Sequence, residues 1–311
     1  MHAWPLIAFA QRKAKVAVLF GGIPEDDIPA NAAFFAEMRR LGWIEGQNIV
    51  YERAHTGGSR ERSLELARAA VAKKPDLIYA PIANVAVTVL KVTDSIPVVF
   101  ISGSDPITSG LVQSLSRPGG NATGAYQMPG DMVSKRYELV HEALPRVQRL
   151  GVLLHTTATD YRNQKRAHAE ASRPPGLEIS TAEITTFEEI ETALAKFKKD
   201  GISVVALPPS YLLLARRRDV AGLALKAQIA LVAHRVEWAE AGALFSYGAD
   251  IVEAQQRSAL IADRILKGAR ASETPVVQAS KFELVINLKT AKALGLSLPK
   301  NVLLRADRII E

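Results

Sequence analysis

The chain has 311 residues, 48% hydrophobic and 23% charged, with a net charge of +7 and no cysteine; its length suits two domains, each able to bury a core. The missing cysteine excludes disulfides, thiol catalysis and Cys-ligated zinc. No apolar run approaches the ~20 residues of a membrane span, and Lys and Arg form no aromatic-interleaved stripe of the kind that binds nucleic acid.

At the amino terminus, Ala3-Trp4-Pro5-Leu6-Ile7-Ala8-Phe9-Ala10 is short and apolar, with Ala8-Phe9-Ala10 in a small-x-small pattern before Gln11. It lacks the basic segment and the length of a full secretory signal. A frayed terminus is one account of it. The reading adopted is the tail of a signal peptide, with the mature chain starting near Gln11 and no cysteine for a lipid anchor. From there strands and helices alternate. A strand over 15–20 stops at Gly21-Gly22, and residues 30–41 have helical periodicity through Phe34, Phe35, Met38 and Leu41, stopped by Gly42. There follow a strand over 48–54, a helix over 61–74 between Ser59 and Pro75, a strand over 77–80, a helix over 84–92 and a strand over 97–101. A short helix over 108–115 closes at Arg117-Pro118-Gly119-Gly120.

The cycle then restarts. Helices are expected over 131–144, 161–172, 186–200 (with a Thr-x-x-Glu capping box) and 210–227, and strands over 150–155, 177–183, 202–207 and 229–234. Arg216-Arg217-Arg218 reads as a solvated helix face. A strand over 243–247 leads to an amphipathic helix over 250–267, capped by Asp250 and stopped at Gly268; a strand over 282–286 and a helix over 290–294 come last. Short, mostly apolar strands separated by helices predict an α/β protein with two doubly wound parallel-sheet lobes. Segments 96–124 and 243–248 are the expected crossings of a multi-segment hinge. Residues 1–13 are assigned to the signal remnant, 14–124 with 249–273 to the first lobe, and 125–248 with 274–311 to the second.

Ligands of such sheets sit beyond the carboxyl ends of the strands. That rule selects Gly21 and Gly22, Ile82, Ala83 and Asn84, and Ser102, Gly103, Ser104 and Asp105 in the first lobe. In the second it selects His155, Thr156, Pro208, Ser210, His234 and Arg235. Hydroxyls and amides at 102–105, before a helix start, suit a carboxylate; Asp105 or Ser104 capping a turn is the alternative. Arg235 is expected to grip the anionic end bidentately, or else to pair with Glu237, while Trp238 is a stacking surface or core. Tyr126 and Tyr247 follow the two crossings, where they flank a ligand or pack the hinge. Gly21-Gly22 has neither a G-x-G-x-x-G nor a Walker lysine beside it, and G-x-S-x-G and H-E-x-x-H are absent. No catalytic residue, metal or cofactor is therefore expected.

Asp105-Pro106, Ser109-Gly110-Leu111-Val112, Arg117-Pro118-Gly119-Gly120-Asn121-Ala122-Thr123-Gly124, the stretch from Leu41 to Asn48, Phe245-Ser246-Tyr247-Gly248 and Asp263-Arg264-Ile265-Leu266-Lys267-Gly268 together carry a likeness. The chain from Lys15 onward resembles the ABC-transporter substrate-binding proteins of the tryptophan/tyrosine-binding type. The resemblance implies a type I periplasmic binding protein fold and a monomer that closes on a small solute. It also implies a membrane permease and its ATPase as partners, and a periplasmic location. Ala80-Pro81-Ile82-Ala83-Asn84 and His155-Thr156-Thr157 depart from the family's usual turns at these ligand-facing loops. The scaffold carries over; the identity of the ligand does not. A ligand-sensing module feeding a receptor and a small-molecule enzyme on the same scaffold remain as alternatives.

Overall fold

The computed structural model describes residues 12–22, 29–57, 59–103, 105–127, 132–158, 161–278 and 280–311, with the side chains of Pro29 and Tyr211 excepted. The expected signal segment up to Gln11, and Ser104, lie outside the described residues. The chain first forms β1 (Ala14–Phe20), α1 (Ala32–Arg40), β2 (Ile49–His55), α2 (Arg60–Ala72), β3 (Leu77–Ala80), α3 (Ala83–Leu90), β4 (Val98–Ser102) and β5 (Ala122–Tyr126). It continues through α4 (Met132–Ala143), β6 (Arg149–His155), α5 (Tyr161–Glu170), β7 (Glu178–Ile184), α6 (Glu189–Lys199), β8 (Val204–Leu207) and α7 (Tyr211–Ala215). Then come α8 (Arg217–Lys226), β9 (Ala230–Ala233), α9 (Val236–Ala241) and β10 (Phe245–Ala249). It ends with α10 (Ile251–Leu266), β11 (Val277–Gln278), β12 (Phe282–Asn287), α11 (Leu288–Ala293), α12 (Lys300–Leu303) and β13 (Arg308–Ile310).

The strands are apolar throughout because both of their faces are covered. In β1, Val16, Val18 and Phe20 enter one core cluster while Ala17 and Leu19 enter the cluster on the other face. The first sheet has the order β11-β5-β4-β3-β1-β2 and the second β13-β12-β10-β9-β8-β6-β7. Among the described strands only the β10–β12 pairing is antiparallel. Stripped of the late strands, both sheets repeat one order: second strand, first, third, fourth, fifth. In such sheets the order reverses between the first and third strands, and the crevice there opens beyond their carboxyl ends.

The chain crosses between the sheets three times. The first crossing leaves the carboxyl end of β5 for α4, and the second leaves the carboxyl end of β10 for α10, which packs on β4, β5 and α1. Both exits are at carboxyl ends, so the carboxyl edges of the two sheets flank the same junction. The third crossing, between β11 and β12, is tied to the second. Asp250 N donates to Lys281 O at 2.9 Å, and the Glu253 carboxylate accepts from Ser280 N at 3.1 Å and Lys281 N at 2.8 Å. Burial alone would raise the Glu253 carboxyl, but the Lys281 amide, Arg257 and Ser280 outweigh it and hold it below 4.5.

Four expectations change. β5 stays in the first sheet through Tyr126, and β11 pairs with it at Val277–Gln278, so the crossings fall after 126 and 278 instead of 124 and 273. Residues 108–115 form successive turns instead of a helix: Leu111 N returns to Pro106 O at 2.9 Å and Gly110 sits at φ +71°. The helix expected over 210–227 breaks at Arg216 (φ −103°, ψ 28°), whose guanidinium lies 3.3 Å over the Phe187 ring. In place of a capping box at Thr186, Glu189 accepts from Thr185 N at 2.7 Å and α6 begins there.

Candidate functional site: the facing carboxyl edges

In the first lobe, Gly21-Gly22, Ile82–Asn84 and Ser102-Gly103 follow β1, β3 and β4. The main chain at Gly21 and Gly22 is already engaged. Gly21 O accepts from Thr56 Oγ1 at 3.0 Å and Gly22 O from Gly57 N at 3.2 Å. Ile82 is the extended residue before α3, and Ala83 and Asn84 form its first turn. The Asn84 side-chain amide makes no hydrogen bond among the described residues, which leaves it free for a ligand. Ser102 is fully buried. Asp105 is exposed and closes a local turn, accepting from Ile107 N at 3.0 Å and Thr108 Oγ1 at 2.7 Å. Those bonds hold its carboxyl below 3.8, the hydroxyl of Thr108 contributing most. Among the described residues turns replace the helix expected behind Asp105, which removes the helix-dipole part of the argument for a carboxylate there.

In the second lobe the expected residues converge more tightly. Ser210 Oγ stands 3.0 Å from His155 Nδ1 and also accepts from Leu213 N at 3.3 Å, capping α7. His155 Nε2 faces Thr157 Oγ1 at 2.8 Å and Thr185 O at 3.3 Å. This serine–histidine pair has no carboxylate behind it among the described residues, and its hydroxyl is occupied as a helix cap. Thr156 is bound into the end of β7 through Ile184 O and Thr185 Oγ1. Pro208 is buried at the end of β8. His234 Nδ1 lies 3.4 Å from Leu207 O, linking the ends of β9 and β8. Burial, then the guanidiniums of Arg136 and Arg235, hold the His234 imidazole well below 6.5.

Arg235 is bound bidentately to Glu237, with Nη2–Oε1 at 2.7 Å and Nε–Oε2 at 3.1 Å. Both side chains are largely buried, so Arg235 enters the site with its charge already balanced. Trp238 is 1% exposed and belongs to the core. Tyr126 donates to Gln278 Oε1 at 3.2 Å across the β5–β11 pair, and Tyr247 packs against the core at 6.3 Å from the Phe282 ring.

One residue of this edge escaped the sequence reading. Arg136, on α4, is 8% exposed, and its Nη1 reaches Tyr247 O at 3.4 Å. Burial lowers its pKa from 12.5 to about 10, so it stays charged. Among the described residues no carboxylate pairs with it. A signal was available: Arg136 falls three residues before Leu139, four before Val140 and seven before Ala143, on the buried stripe of the helix.

The motifs that carried the family likeness do a different job. Trp43 Nε1 donates to Asp263 Oδ1 at 2.9 Å, joining the 41–48 loop to α10. Asn121 Nδ2 donates to Ile96 O at 2.8 Å and Thr123 Oγ1 to Thr274 O at 2.7 Å, fastening β5 to its neighbours. A surface cavity of about 660 Å³ lies beside Trp43, Gly42 and Asn48. It is at the amino-terminal edge of the first sheet, away from the strand ends, and its polar lining is paired internally. Among the described residues no cluster of three His, Asp or Glu could hold a metal, and no helix is long and apolar enough to cross a membrane.

Comparison with known proteins agrees with this architecture. The chain is 26% identical over 267 residues to a tyrosine-binding protein of Clostridioides difficile (strain R20291), covering 86% of this chain and 76% of that one. A conserved domain protein from Vibrio cholerae superposes with a TM-score of 0.87 at 24% identity, over 96% of this chain and all of the other (100%). A domain from Streptococcus pneumonia in complex with L-Trp superposes with a TM-score of 0.86 at 23% identity, over the same shares, 96% and 100%. The family model for ABC transporter substrate binding proteins matches residues 33–310, nearly the whole described chain, and the protein belongs to that family.

Proposed function

We propose that the protein is the extracytoplasmic solute-binding component of an ABC importer, exported to the periplasm. In this reading it captures a small carboxylate-bearing molecule, aromatic or amino-acid-like, between its lobes and presents it to a permease with its ATPase. The observation that carries the reading is the repeated strand order, which sets both switch points on the edges where the chain crosses. A ligand touching both edges binds the closed arrangement better than the open one, and that difference in affinity drives hinge closure. The ligand class is supported by the relatives: one is a tyrosine-binding protein and another was solved with L-Trp. Binding without turnover fits a Ser210–His155 pair that has no carboxylate behind it among the described residues.

Calorimetry and thermal unfolding against L-tryptophan, L-tyrosine, the other amino acids and short carboxylates test the reading, with X-ray scattering to follow closure. Saturation at ~100 times the dissociation constant should add about 2.7 kcal/mol of stability and shrink the radius of gyration. A panel that leaves both quantities unchanged, or a bound compound that is turned over, would overturn it.

A further inference from the structure

A guanidinium carries five N–H donors. In Arg136 one of them is used, in a 3.4 Å contact to the main-chain oxygen of Tyr247. The charge of Arg136 is felt by His168 and His234, whose imidazoles are held neutral first by burial and then by that charge. Among the described residues no carboxylate of α4, α5, β10 or the end of β9 makes an ion pair or hydrogen bond with it. A buried charge without a partner is among the costlier arrangements a fold can hold. Elsewhere this chain avoids it: Arg235 has Glu237, and Arg257 has Glu253. Arg136 lies in the second turn of α4, close to the amino-terminal end of the helix. The amino-terminal end of that twelve-residue helix adds the positive end of its dipole. The contact to the Tyr247 carbonyl places the guanidinium against β10, and α4 itself follows the first crossing.

We propose that Arg136, and not Arg235, is the residue that receives the carboxylate of the bound solute. The inference rests on the solute-binding reading above. A planar fork meeting a carboxylate in a dry site gives short, charge-assisted, bidentate bonds. Arg235 instead supports the edge, its charge already spent on Glu237.

The test compares wild type with Arg136→Met and Arg136→Lys, using L-tryptophan, L-tyrosine, their carboxamides and sodium acetate as probes. Wild type should bind the free amino acid and lose the carboxamide. Arg136→Met should weaken amino-acid binding about a hundredfold, with Arg136→Lys between the two. Without any probe, Arg136→Met should unfold at the same or a higher temperature, because an uncompensated charge has been removed. Binding by Arg136→Met within roughly threefold of wild type, or a large fall in its probe-free unfolding temperature, would overturn the inference. If wild type binds neither amino acid, the aromatic amino-acid reading fails separately. The acetate arm then decides: stabilisation of wild type but not of Arg136→Met supports the inference, and an equal or absent response sinks it.

Discussion

Three imidazoles, those of His155, His168 and His234, are kept neutral in the folded second lobe, each chiefly by burial. For His168, which lies 2.7 Å from the Tyr137 hydroxyl, the fall is from 6.5 to about 3. Unfolding returns each ring to water, so below pH 6.5 the unfolded chain takes up protons that the native one refuses. Stability is therefore intact above that pH and drains away on acidification, by about 1.4 kcal/mol per pH unit for His168 between about pH 6 and 4, with His155 and His234 acting in the same direction. His168→Gln keeps an acceptor for Tyr137 and removes the titration. It should flatten the stability profile by one such increment between about pH 6 and 4, measured by urea unfolding. An unchanged slope would mean that His168 is protonated in the native state. Individual residues were the least legible scale of this molecule. The strand-end rule pointed to His155, Ser210 and His234, which lie along one edge, yet it could not tell which of two arginines was already neutralised. Arg235 and Glu237 are two residues apart at the start of α9, a helix that the sequence pattern did not reveal. Arg136 stands on a helix that was foreseen, but only packing shows that its polar position faces inward.

At the scale of elements, the crossing strands carry a glycine each where a side chain has no room. A Cβ on Gly248 would lie 1.8 Å from His234 O, and one on Gly124 would lie 2.1 Å from Phe100 O. Gly248→Ala should therefore cost about 1–3 kcal/mol through a forced shift of β10 against β9, read as a lower urea midpoint. Gly222, exposed within α8 with no atom within 4 Å of its missing Cβ, is the contrasting case. Gly222→Ala should stabilise by about 0.5–1 kcal/mol, because alanine loses less entropy in a helix. Two changes of the same sign would refute the packing account. The strands and long helices were legible because two-sided burial writes continuous apolar runs and helical stripes into the chain. The 108–115 segment misled because its periodicity resembles a helix while Pro106 and Gly110 fold it into turns. The short β11 and β13 left no pattern; they exist because a neighbouring strand offers them a free edge.

For the whole molecule, the two-lobe plan and its repeated crossings could be read from the alternation of elements, whereas the return of β11 to the first sheet could not. That return has a bearing on how the protein is made. The first lobe's core is closed by Ala254, Ile261, Ala262 and Ile265 against Val16, Phe34 and Met38, and its last strand is Val277–Gln278. The second lobe's core needs Leu284, Ile286 and Val302. A fragment ending at Ala249 should thus show few slowly exchanging amides in β1 to β4, and protection there equal to the intact protein would contradict this. On the ribosome, the segment that starts the first lobe waits for residues made more than two hundred positions later, whereas one face of the second lobe, from Leu153 to Ala243, is complete before them. A first lobe that cannot close its core until synthesis is almost over leaves its opening strands unset the longest, the condition the leading end of a polypeptide needs if it is to be threaded through a narrow channel.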